Sequence, residues 1–344
     1  MQSDQILISV IIPIYNQELY LEDAIQSVLS QDHGFVELIL VNDGSTDKSS
    51  EICYKYIEQY NHIRYYEQTN RGVSAARNRG LEEVLGSYVF FLDADDTIDV
   101  SFLREALEVA VSNQSDITVV GSYYWFRSKH IMALPTCAMF LKTDFLKKYS
   151  EIRFPVGIQP CEDGLFSHQL LALTSQVSLY PDGVYHYRQH DNQNHIVINQ
   201  STDKVLSQIP EWLNILHNFY TKHDLYRSHA LHLALFIEHE PFEFRYLGMS
   251  FDKDQKSQLY KIIRTFIHEN VLPFLNKIEK REFSNAFNHF IELNNVDDFD
   301  HYFIKYKVRK RRMKTVKLFF LKFLPFSKMR RKLRKQIIEM YHKI

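Results

Sequence analysis

The sequence predicts an α/β fold, a mainly parallel β-sheet with helices on both faces, followed by a mainly helical C-terminal region. Two observations support this prediction. Short apolar segments rich in β-branched residues alternate strictly with segments of helical periodicity over the first half of the chain, and polar motifs directly follow the apolar segments. Strict alternation is typical of βαβ units, whose right-handed crossovers make the strands parallel.

The predicted elements follow one another in a regular order. The first four strands are ILISVIIP, VELILVND, IRYYEQ and SYVFFLDAD, each short and apolar enough to be a buried parallel strand. The helices between them are ELYLEDAIQSVLSQ, TDKSSEICYKYIEQY and GVSAARNRGLEEVLG. A further strand is predicted over residues 117–126, and a helix is predicted to begin at Glu162 and Asp163.

The same patterns divide the chain into three predicted regions. Residues 1–200 contain the alternating strands and helices and form the predicted ligand-binding domain. Residues 201–300 are mainly helical, and residues 301–344 form a basic, amphipathic helical tail. We find no internal repeat and no low-complexity segment in the sequence.

The composition is typical of a folded protein in a reducing compartment. Hydrophobic residues make up 45% of the 344 residues and charged residues 24%, as in ordinary globular proteins. The three cysteines have no paired spacing, which argues against a disulfide framework and a zinc cluster. The N-terminal apolar run follows an acid and ends at a proline, so it predicts a strand rather than a signal peptide. We therefore expect a cytoplasmic protein.

Charge is distributed unevenly along the chain. From His301 onward there are 16 Lys and Arg against one acid, Glu339, whereas the first 300 residues carry a net charge of −16. Such asymmetry predicts an anionic partner for the tail. The tail also contains LFFLKFLPF, residues 318–326, which is too short to span a membrane but suits an amphipathic segment on an anionic membrane surface. Charge alone would also suit nucleic acid, and docking on protein or a second subunit is the third alternative.

Polar side chains cluster at the ends of the predicted strands. Ligands of open α/β sheets bind at the carboxyl ends of the strands, so residues that follow four strands are expected to converge on one crevice. Neighbouring carboxylates repel one another unless a cation or hydrogen-bond donors stabilise them. The convergent residues are Pro13, Tyr15 and Asn16 after the first strand, Asn42, Asp43 and Gly44 after the second, Asn70, Arg71 and Gly72 after the third, and Asp93, Asp95 and Asp96 after the fourth.

Two common nucleotide-binding motifs are missing from the sequence. No GxGxxG follows the first strand, where a dinucleotide-binding sheet needs glycines to hold a pyrophosphate, so a dehydrogenase is excluded. GxxxxGK[ST] is also absent, which excludes a P-loop nucleotidase.

Together the motifs resemble family 2 glycosyltransferases of the GT-A (Rossmann-like) nucleotide-sugar-binding fold, and in particular bacterial enzymes that build surface polysaccharides or teichoic acids. The resemblance covers residues 6–190 and rests on ISVIIPIYNQELYLEDAIQSVLSQ, LILVNDGSTDKS, NRGVSAARNRGLEEVLGSYVFFLDADD and CEDGLF. It implies an enzyme that moves a sugar from a nucleotide donor, a UDP-sugar, to a hydroxyl of a growing glycan.

The resemblance implies roles for the acids at the strand ends. Asp43 would accept a hydrogen bond from the nucleobase, with an ordinary Asp-Gly turn as the alternative. Asp93 and Asp95 form a DxD motif in which Asp95 binds Mn²⁺ or Mg²⁺ against the diphosphate and Asp93 reaches the ribose or the metal. Hard cations prefer such oxygen ligands. We expect Asp96 to support the loop or to cap the next helix, and we expect Asp47 to cap a helix.

The resemblance also implies a general base in CEDGLF. Asp163 would take the proton of the acceptor hydroxyl, and Glu162 would orient Asp163 or the acceptor. An ordinary pair of acids favoured by the helix dipole is the alternative. In-line attack would invert the anomeric configuration, so a second nucleophilic carboxylate is not required.

Basic residues complete the predicted site. Arg77 is expected to approach the nucleotide phosphates, with a surface position on its helix as the alternative. Arg188 is expected near the diphosphate, and His190 matches a metal-binding position of the family, although isolated histidines are more often structural. The predicted nucleotide-sugar-binding residues are Pro13, Tyr15, Asn16, Asp43, Asn70, Gly72, Arg77, Asp93 and Arg188, and the predicted metal ligands are Asp95, Asp93 and His190.

Two other functions stay open at this point. A sugar nucleotidyltransferase would carry a glycine-rich basic loop after the first strand, where PIYNQELY has neither glycine nor base. A non-catalytic module could bind nucleic acid through the tail. The leading hypothesis predicts a nucleotide-sugar donor, a glycan or lipid-linked acceptor and an anionic membrane surface as partners, with a peripheral location at the inner face of the cell membrane and no nucleic acid. It leaves a homo-oligomer open.

Overall fold

The structure of the protein is a computed structural model that describes residues 7–124, 130–189, 201–324 and 326–340. The chain divides into two compact units, Met1–Pro241 and Phe242–Ile344. The first unit contains the alternating strands and helices together with two helices that follow residue 200. The domain boundaries expected at residues 200 and 300 stay predictions.

The first unit contains a sheet of seven strands, a two-stranded sheet and the helices between them. Its elements are β1 (Ile8–Ile14), α1 (Leu21–Leu29), β2 (Val36–Asn42), α2 (Ser49–Ile57), β3 (Ile63–Glu67), α3 (Val73–Glu82), β4 (Tyr88–Phe91), β5 (Thr97–Ile98), α4 (Phe102–Ser112), β6 (Ile117–Val120), β7 (Met139–Lys142), α5 (Thr143–Lys148), α6 (Glu162–Leu171), β8 (Val177–Tyr180), β9 (Tyr185–His186), α7 (Thr202–Lys222) and α8 (Tyr226–Ile237).

The large sheet is parallel except for one strand. Its order is β3-β2-β1-β4-β7-β6-β8, and β7 pairs antiparallel with both of its neighbours. The pairs β1–β2, β1–β4, β2–β3 and β6–β8 are parallel. Strands β5 and β9 form the separate antiparallel pair. The predicted mainly parallel α/β fold is therefore confirmed, and β1 lies in the middle of the four parallel strands that carry the polar motifs.

Helices pack against both faces of β1, which lies between β2 and β4 in the sheet. Ile8, Val10, Ile12 and Ile14 share one buried cluster with side chains of α1 and α4. The opposite face presents Ile11 to α3, which approaches so closely that a methyl group on Gly80 would clash with the Ile11 side chain. Because successive side chains of a strand point to opposite faces, the continuous apolar run of β1 is explained by helices on both sides.

The strand predicted over residues 117–126 is shorter than expected. It ends at Val120, and Gly121 follows with φ of 102°. That conformation is readily adopted only by glycine and ends the extended backbone. The predicted extension of this strand beyond Val120 is therefore wrong for residues 121–124, while residues 125 and 126 lie outside the described part of the chain.

The second unit is helical and has an aromatic core. Phe290 packs against Phe242, Tyr246 and Phe299, with ring centroids 4.7, 5.0 and 5.2 Å apart. None of the described helices of the chain is long and apolar enough to cross a membrane. The helices of the second unit are α9 (Lys253–Asn270), α10 (Asn285–Glu292), α11 (Val296–Phe320) and α12 (Ser327–Met340), with 3₁₀ turns at Leu272–Phe274, Glu279–Glu282 and Leu321–Phe323.

Candidate active site

The loops after β1 and β2 are held together by side-chain hydrogen bonds. Asn16 Oδ1 accepts a hydrogen bond from the backbone N–H of Thr46 at 2.8 Å, and Ser45 Oγ accepts one from the N–H of Asn16 at 3.0 Å. Asp47 accepts hydrogen bonds from the N–H groups of Ser49 and Glu18, both at 2.9 Å. Asp47 lies one residue before Lys48, the N-cap of α2, so it supports the start of the helix from the position next to the predicted cap and also fixes the loop after β1.

Asp43 is buried and joins the second strand to the loop after the third. Its side chain accepts hydrogen bonds from Gln68 Nε2 at 2.7 Å, from the N–H of Arg71 at 3.0 Å and from the N–H of Gly72 at 2.7 Å. A carboxylate offers about four lone-pair positions, so Asp43 retains capacity for one further donor. This arrangement makes the Asp43 carboxylate a fixed acceptor at the carboxyl ends of β2 and β3.

Arg77 connects the acidic motif after β4 with the acidic pair at the start of α6. Its guanidinium lies 3.0 Å from Asp93 Oδ1 and 3.4 Å from Glu162 Oε1. Only 5% of Arg77 is exposed, so the alternative of a surface arginine is wrong. Its Cζ atom also lies 5.5 Å from the centre of the Phe154 ring. Burial alone would lower the pKa of Arg77, but the neighbouring carboxylates outweigh it and raise the pKa.

The acidic pair begins α6, as predicted from the sequence. Burial raises the pKa of Asp163 to about 7, and the neighbouring Glu162 carboxylate adds to the effect while Arg77 opposes it. Burial also raises the pKa of Glu162. The residue before the pair, Cys161, has φ of 85°, a strained conformation for a residue other than glycine and one that clusters at functional sites. A carboxyl group with a pKa near neutrality can exchange a proton at physiological pH.

The loop that contains Asp95 is supported by a tyrosine and an arginine from further along the chain. Tyr185 donates a hydrogen bond to Asp96 Oδ2 at 2.7 Å, and its hydroxyl accepts one from the N–H of Asp93 at 3.3 Å. Arg188 donates from Nε to the backbone oxygen of Asp95 at 3.0 Å and from its N–H to Asp96 Oδ1 at 2.8 Å. Burial raises the pKa of Asp96 to about 6. Asp96 therefore supports the loop, which is one of its two expected roles, whereas the N-cap of the next helix, α4, is Ser101.

The remaining predicted residues fall at the same edge of the sheet or beyond the described structure. Pro13 is buried inside β1, opposite Val41 of β2. Tyr15 is 46% exposed and Asn70 is exposed, both at loops that follow strands. His190 lies outside the described residues, so its metal-binding role stays a prediction.

The donor set at Asp93 and Asp95 fits a hard divalent cation. Both carboxylates are partly exposed and follow β4 directly. Among the residues that the structure describes, no group of three or more His, Cys, Asp or Glu could hold a metal ion. Mg²⁺ is commonly bound by one or two carboxylates together with substrate phosphates, so these two residues suit a cation that shares its ligands with a diphosphate.

Three supporting residues were missed by the sequence analysis. Tyr185 and Phe154 contact Asp96 and Arg77 from segments far away along the chain. Asp23 of α1 lies 2.8 Å from the Arg188 guanidinium. No motif marks these residues, because an isolated tyrosine, phenylalanine or aspartate has no periodic or spacing signal that distinguishes support of a site from ordinary packing.

The mostly parallel sheet, the acidic motif after β4 and the acidic pair on α6 define a domain of the GT-A class. Residues 9–171 match the family model described as Glycosyl transferase family 2. This match assigns residues 9–171 to glycosyl transferase family 2, as the motifs predicted.

Relatives with similar sequences are glycosyltransferases and proteins of teichoic acid biosynthesis. The chain is 30% identical over 259 residues to the minor teichoic acid biosynthesis protein GgaB of Bacillus subtilis, covering 67% of this chain and 28% of GgaB. It is 44% identical over 125 residues to glycosyltransferase GlyA of Streptococcus pneumoniae, covering 36% of this chain and 18% of GlyA. The chain therefore spans less than a third of either relative.

A solved structure has a similar fold. The structure of S. aureus TarS residues 1–349 in complex with UDP-GlcNAc superposes with a TM-score of 0.68 at 21% sequence identity, covering 85% of this chain and 89% of that chain. At this level of identity the likeness shows the fold, and it confirms the predicted GT-A architecture.

Proposed function

We propose that the protein is an inverting, metal-dependent glycosyltransferase that moves a sugar from a nucleotide donor, a UDP-sugar, to a hydroxyl of a growing bacterial surface glycan. The observation that best supports this proposal is the bridge formed by Arg77, which brings Asp93 and Glu162 to one buried guanidinium. A site for the leaving diphosphate and a site for the acceptor proton are thereby adjacent, as sugar transfer requires.

The donor would bind along the carboxyl ends of the first four strands. In this proposal the Asp43 carboxylate accepts a hydrogen bond from the nucleobase, and the fixed backbone around Gly72 shapes the pocket. Tyr15, Asn16 and Asn70 line its rim, next to Pro13. Arg188 holds the backbone of Asp95 in place and so positions the carboxylate that faces the diphosphate.

Mn²⁺ or Mg²⁺ would be held by Asp95 and Asp93, with His190 as a further candidate ligand. When bound, the cation neutralises negative charge that develops on the departing nucleoside diphosphate. The protein itself contributes a fixed loop, since Tyr185 and Arg188 restrain Asp96 and the backbone beside both carboxylates.

Asp163 is the proposed general base. Its ionised carboxylate takes the proton of the acceptor hydroxyl while the acceptor oxygen forms a bond to the anomeric carbon. The bond between that carbon and the diphosphate oxygen breaks, and its electron pair stays on the diphosphate. Attack opposite the leaving group inverts the anomeric configuration. Glu162 is held by Arg77 and orients Asp163 or the acceptor.

The proposed acceptor and location are supported by the names of relatives and by the charge of the tail. Similar proteins are named for teichoic acid biosynthesis, which supports a glycan or lipid-linked acceptor at the inner face of the cell membrane. The basic tail would bring the cytoplasmic enzyme to that anionic surface. Nucleic acid is not a proposed partner, and the oligomeric state is left open.

The proposed function can be tested with the full-length chain and a panel of nucleotide sugars. We expect one donor, tested with Mn²⁺, to raise the thermal stability and to be hydrolysed slowly to the nucleoside diphosphate. A ligand at 100 times its Kd adds about 2.7 kcal/mol to stability. The proposal would be wrong if no nucleotide sugar stabilised the chain. It would also be wrong if the protein released pyrophosphate from a nucleoside triphosphate and a sugar phosphate, which is the reaction of a nucleotidyltransferase.

A further inference from the structure

Four phenylalanine side chains are exposed around the turn between α11 and α12. Their exposed fractions are 52%, 64%, 70% and 67% for Phe319, Phe320, Phe323 and Phe326, which we call the phenylalanine turn. Phe319 contacts Phe320 and Phe323, with ring centroids 5.9 and 5.3 Å apart. Contiguous exposed apolar surface is rare on proteins that have no partner there, so these rings mark an interaction surface.

The phenylalanine turn lies between two basic segments. From Lys305 to Arg334 the chain has 14 Lys and Arg and no Asp or Glu. The Lys322 ammonium lies 6.0 Å from the centre of the Phe319 ring, so positive charge is present inside the apolar cluster as well as on both sides of it. A surface of this composition complements an anionic, partly apolar partner.

Residues 304–316 of α11, which precede the turn and which we call the flank of α11, are less suited to an apolar partner than the phenylalanine turn. Residues 309–312 are four consecutive basic residues, and at about 100° per residue they point in different directions around the helix. Ile304, Val308 and Val316 are exposed by 64%, 44% and 52%, but they lie among these charges and carry smaller apolar side chains than phenylalanine.

We propose that the phenylalanine turn inserts into the interface of an anionic lipid bilayer while the Lys and Arg of α11 and α12 bind the lipid headgroups. A second copy of the chain would bring two strongly basic surfaces together at a cost in repulsion. The inference extends the membrane association in the proposed function, and it does not depend on the chain being an active transferase.

Tryptophan substitutions test the direction of insertion. Phe323→Trp places a reporter in the turn and Ile304→Trp places one on the flank of α11. The parent chain contains Trp125 and Trp212, so its emission spectrum is subtracted from that of each variant. With phosphatidylglycerol vesicles, we expect the remaining emission to shift to the blue for Phe323→Trp and to stay unchanged for Ile304→Trp. A shift for Ile304→Trp alone, or for neither, would overturn tip-first insertion.

Vesicle co-sedimentation tests the contribution of the rings. Phe320→Ser and Phe323→Ser combined should lower vesicle affinity by more than about tenfold, since burial of one phenylalanine is worth at least a factor of ten. The matched control, Val308→Ser and Val316→Ser, should retain most of the affinity. Equal losses in both pairs would contradict the proposal.

Two further measurements separate this inference from the alternatives and from the proposed function. Sedimentation of the parent chain with vesicles should persist beside an excess of single-stranded RNA, and the double phenylalanine variant should keep the same oligomeric state as the parent. Competition by RNA, or conversion of a dimer into a monomer, would assign the turn to nucleic acid or to a second copy instead. Donor hydrolysis without vesicles should be equal in parent and variant, so its absence in both would count against the proposed function alone.

Discussion

The guanidinium of Arg77 lies 3.0 Å from the carboxylate of Asp93, although the two residues belong to different elements, α3 and the loop after β4. The same guanidinium reaches Glu162 on α6. One buried cation thus balances two separate acidic motifs. An unpaired buried charge is costly. The positions of α3, of the loop after β4 and of the start of α6 therefore depend on one another.

Replacement of Arg77 should therefore change the ionisation of the site. Its positive charge lowers the pKa values of Glu162 and Asp163, so Arg77→Gln should raise both. We expect a lower rate at pH 7, by about tenfold or more, and an acid limb of the pH–rate profile that moves to higher pH. Arg79→Gln, on the exposed side of the same helix, should leave the profile in place. An unchanged acid limb in a folded Arg77→Gln chain would contradict this role.

Loss of the proposed base should abolish transfer. Asp163→Asn should reduce kcat about 10²–10⁴-fold, the usual contribution of a general base, with little change in donor binding. For the parent chain, the carboxylate must be ionised to accept the proton, and burial raises its pKa to about 7, so the rate should fall as pH drops below about 7. The control Asp47→Ala loses two loop hydrogen bonds and should keep transfer activity. Near-normal turnover by folded Asp163→Asn would remove Asp163 as the base.

Removal of the metal or of its proposed ligand should have the same effect. Excess EDTA should stop transfer, and added Mn²⁺ or Mg²⁺ should restore it. Asp95→Ala should lower activity about 10²-fold or more and should not respond to added metal at concentrations that saturate the parent chain. Equal turnover of the parent chain with and without EDTA would rule out metal dependence.

A stacked pair of histidines, of which His168 is buried and His232 is partly buried, should make the first unit sensitive to acid. His168 and His232 stack with ring centroids 4.2 Å apart. Burial lowers the pKa of both, that of His232 to about 4 from 6.5, with added repulsion from His229 and His130. The unfolded chain therefore binds more protons than the folded chain between pH 6.5 and 4. Above pH 6.5 both histidines are neutral in the folded and the unfolded chain, and the folded protein keeps its full stability. As pH falls toward 4 the free energy of unfolding decreases, by on the order of 3 kcal/mol for His232.

The histidine prediction can be measured by urea unfolding at several pH values. His232→Phe keeps an aromatic ring in the stack and removes one site of protonation, so its free energy of unfolding should depend less on pH between 6.5 and 4. An identical pH dependence in parent and variant would show that other groups cause the loss of stability.

The turn after β2 should tolerate no side chain at Gly44. Its φ is 71°, and an added Cβ would lie 2.9 Å from the backbone nitrogen of Asn70. Gly44→Ala should therefore lower the free energy of unfolding by about 1–3 kcal/mol and weaken donor binding, since Asp43 is the preceding residue. Gly34 has no atom within 4 Å of its added Cβ, so Gly34→Ala should be close to neutral. Equal stability of both variants would refute the strain at Gly44.

Much of the fold could be predicted from local patterns. The strands β1 to β4 and the helices between them follow from apolar runs and helical periodicity, because a sheet covered on both faces demands continuous apolar strands. The acids that follow these strands could also be assigned to one site, because parallel strands place their carboxyl ends at one edge of the sheet. The antiparallel strand β7 and the early end of β6 at Gly121 could not be predicted, since strand direction and a single φ angle leave little trace in periodicity.

The sequence by itself therefore determined the α/β order of the first unit, the edge of the sheet where the polar motifs meet and the family that these motifs resemble. Only the tertiary structure decided that Arg77 is buried between Asp93 and Glu162, that Tyr185 and Arg188 support the loop of Asp95, and that four phenylalanines of the tail are exposed at a turn. The physical reason is that burial, and with it the strength of charge pairing and the shift of each pKa, depends on which distant segments pack around a side chain.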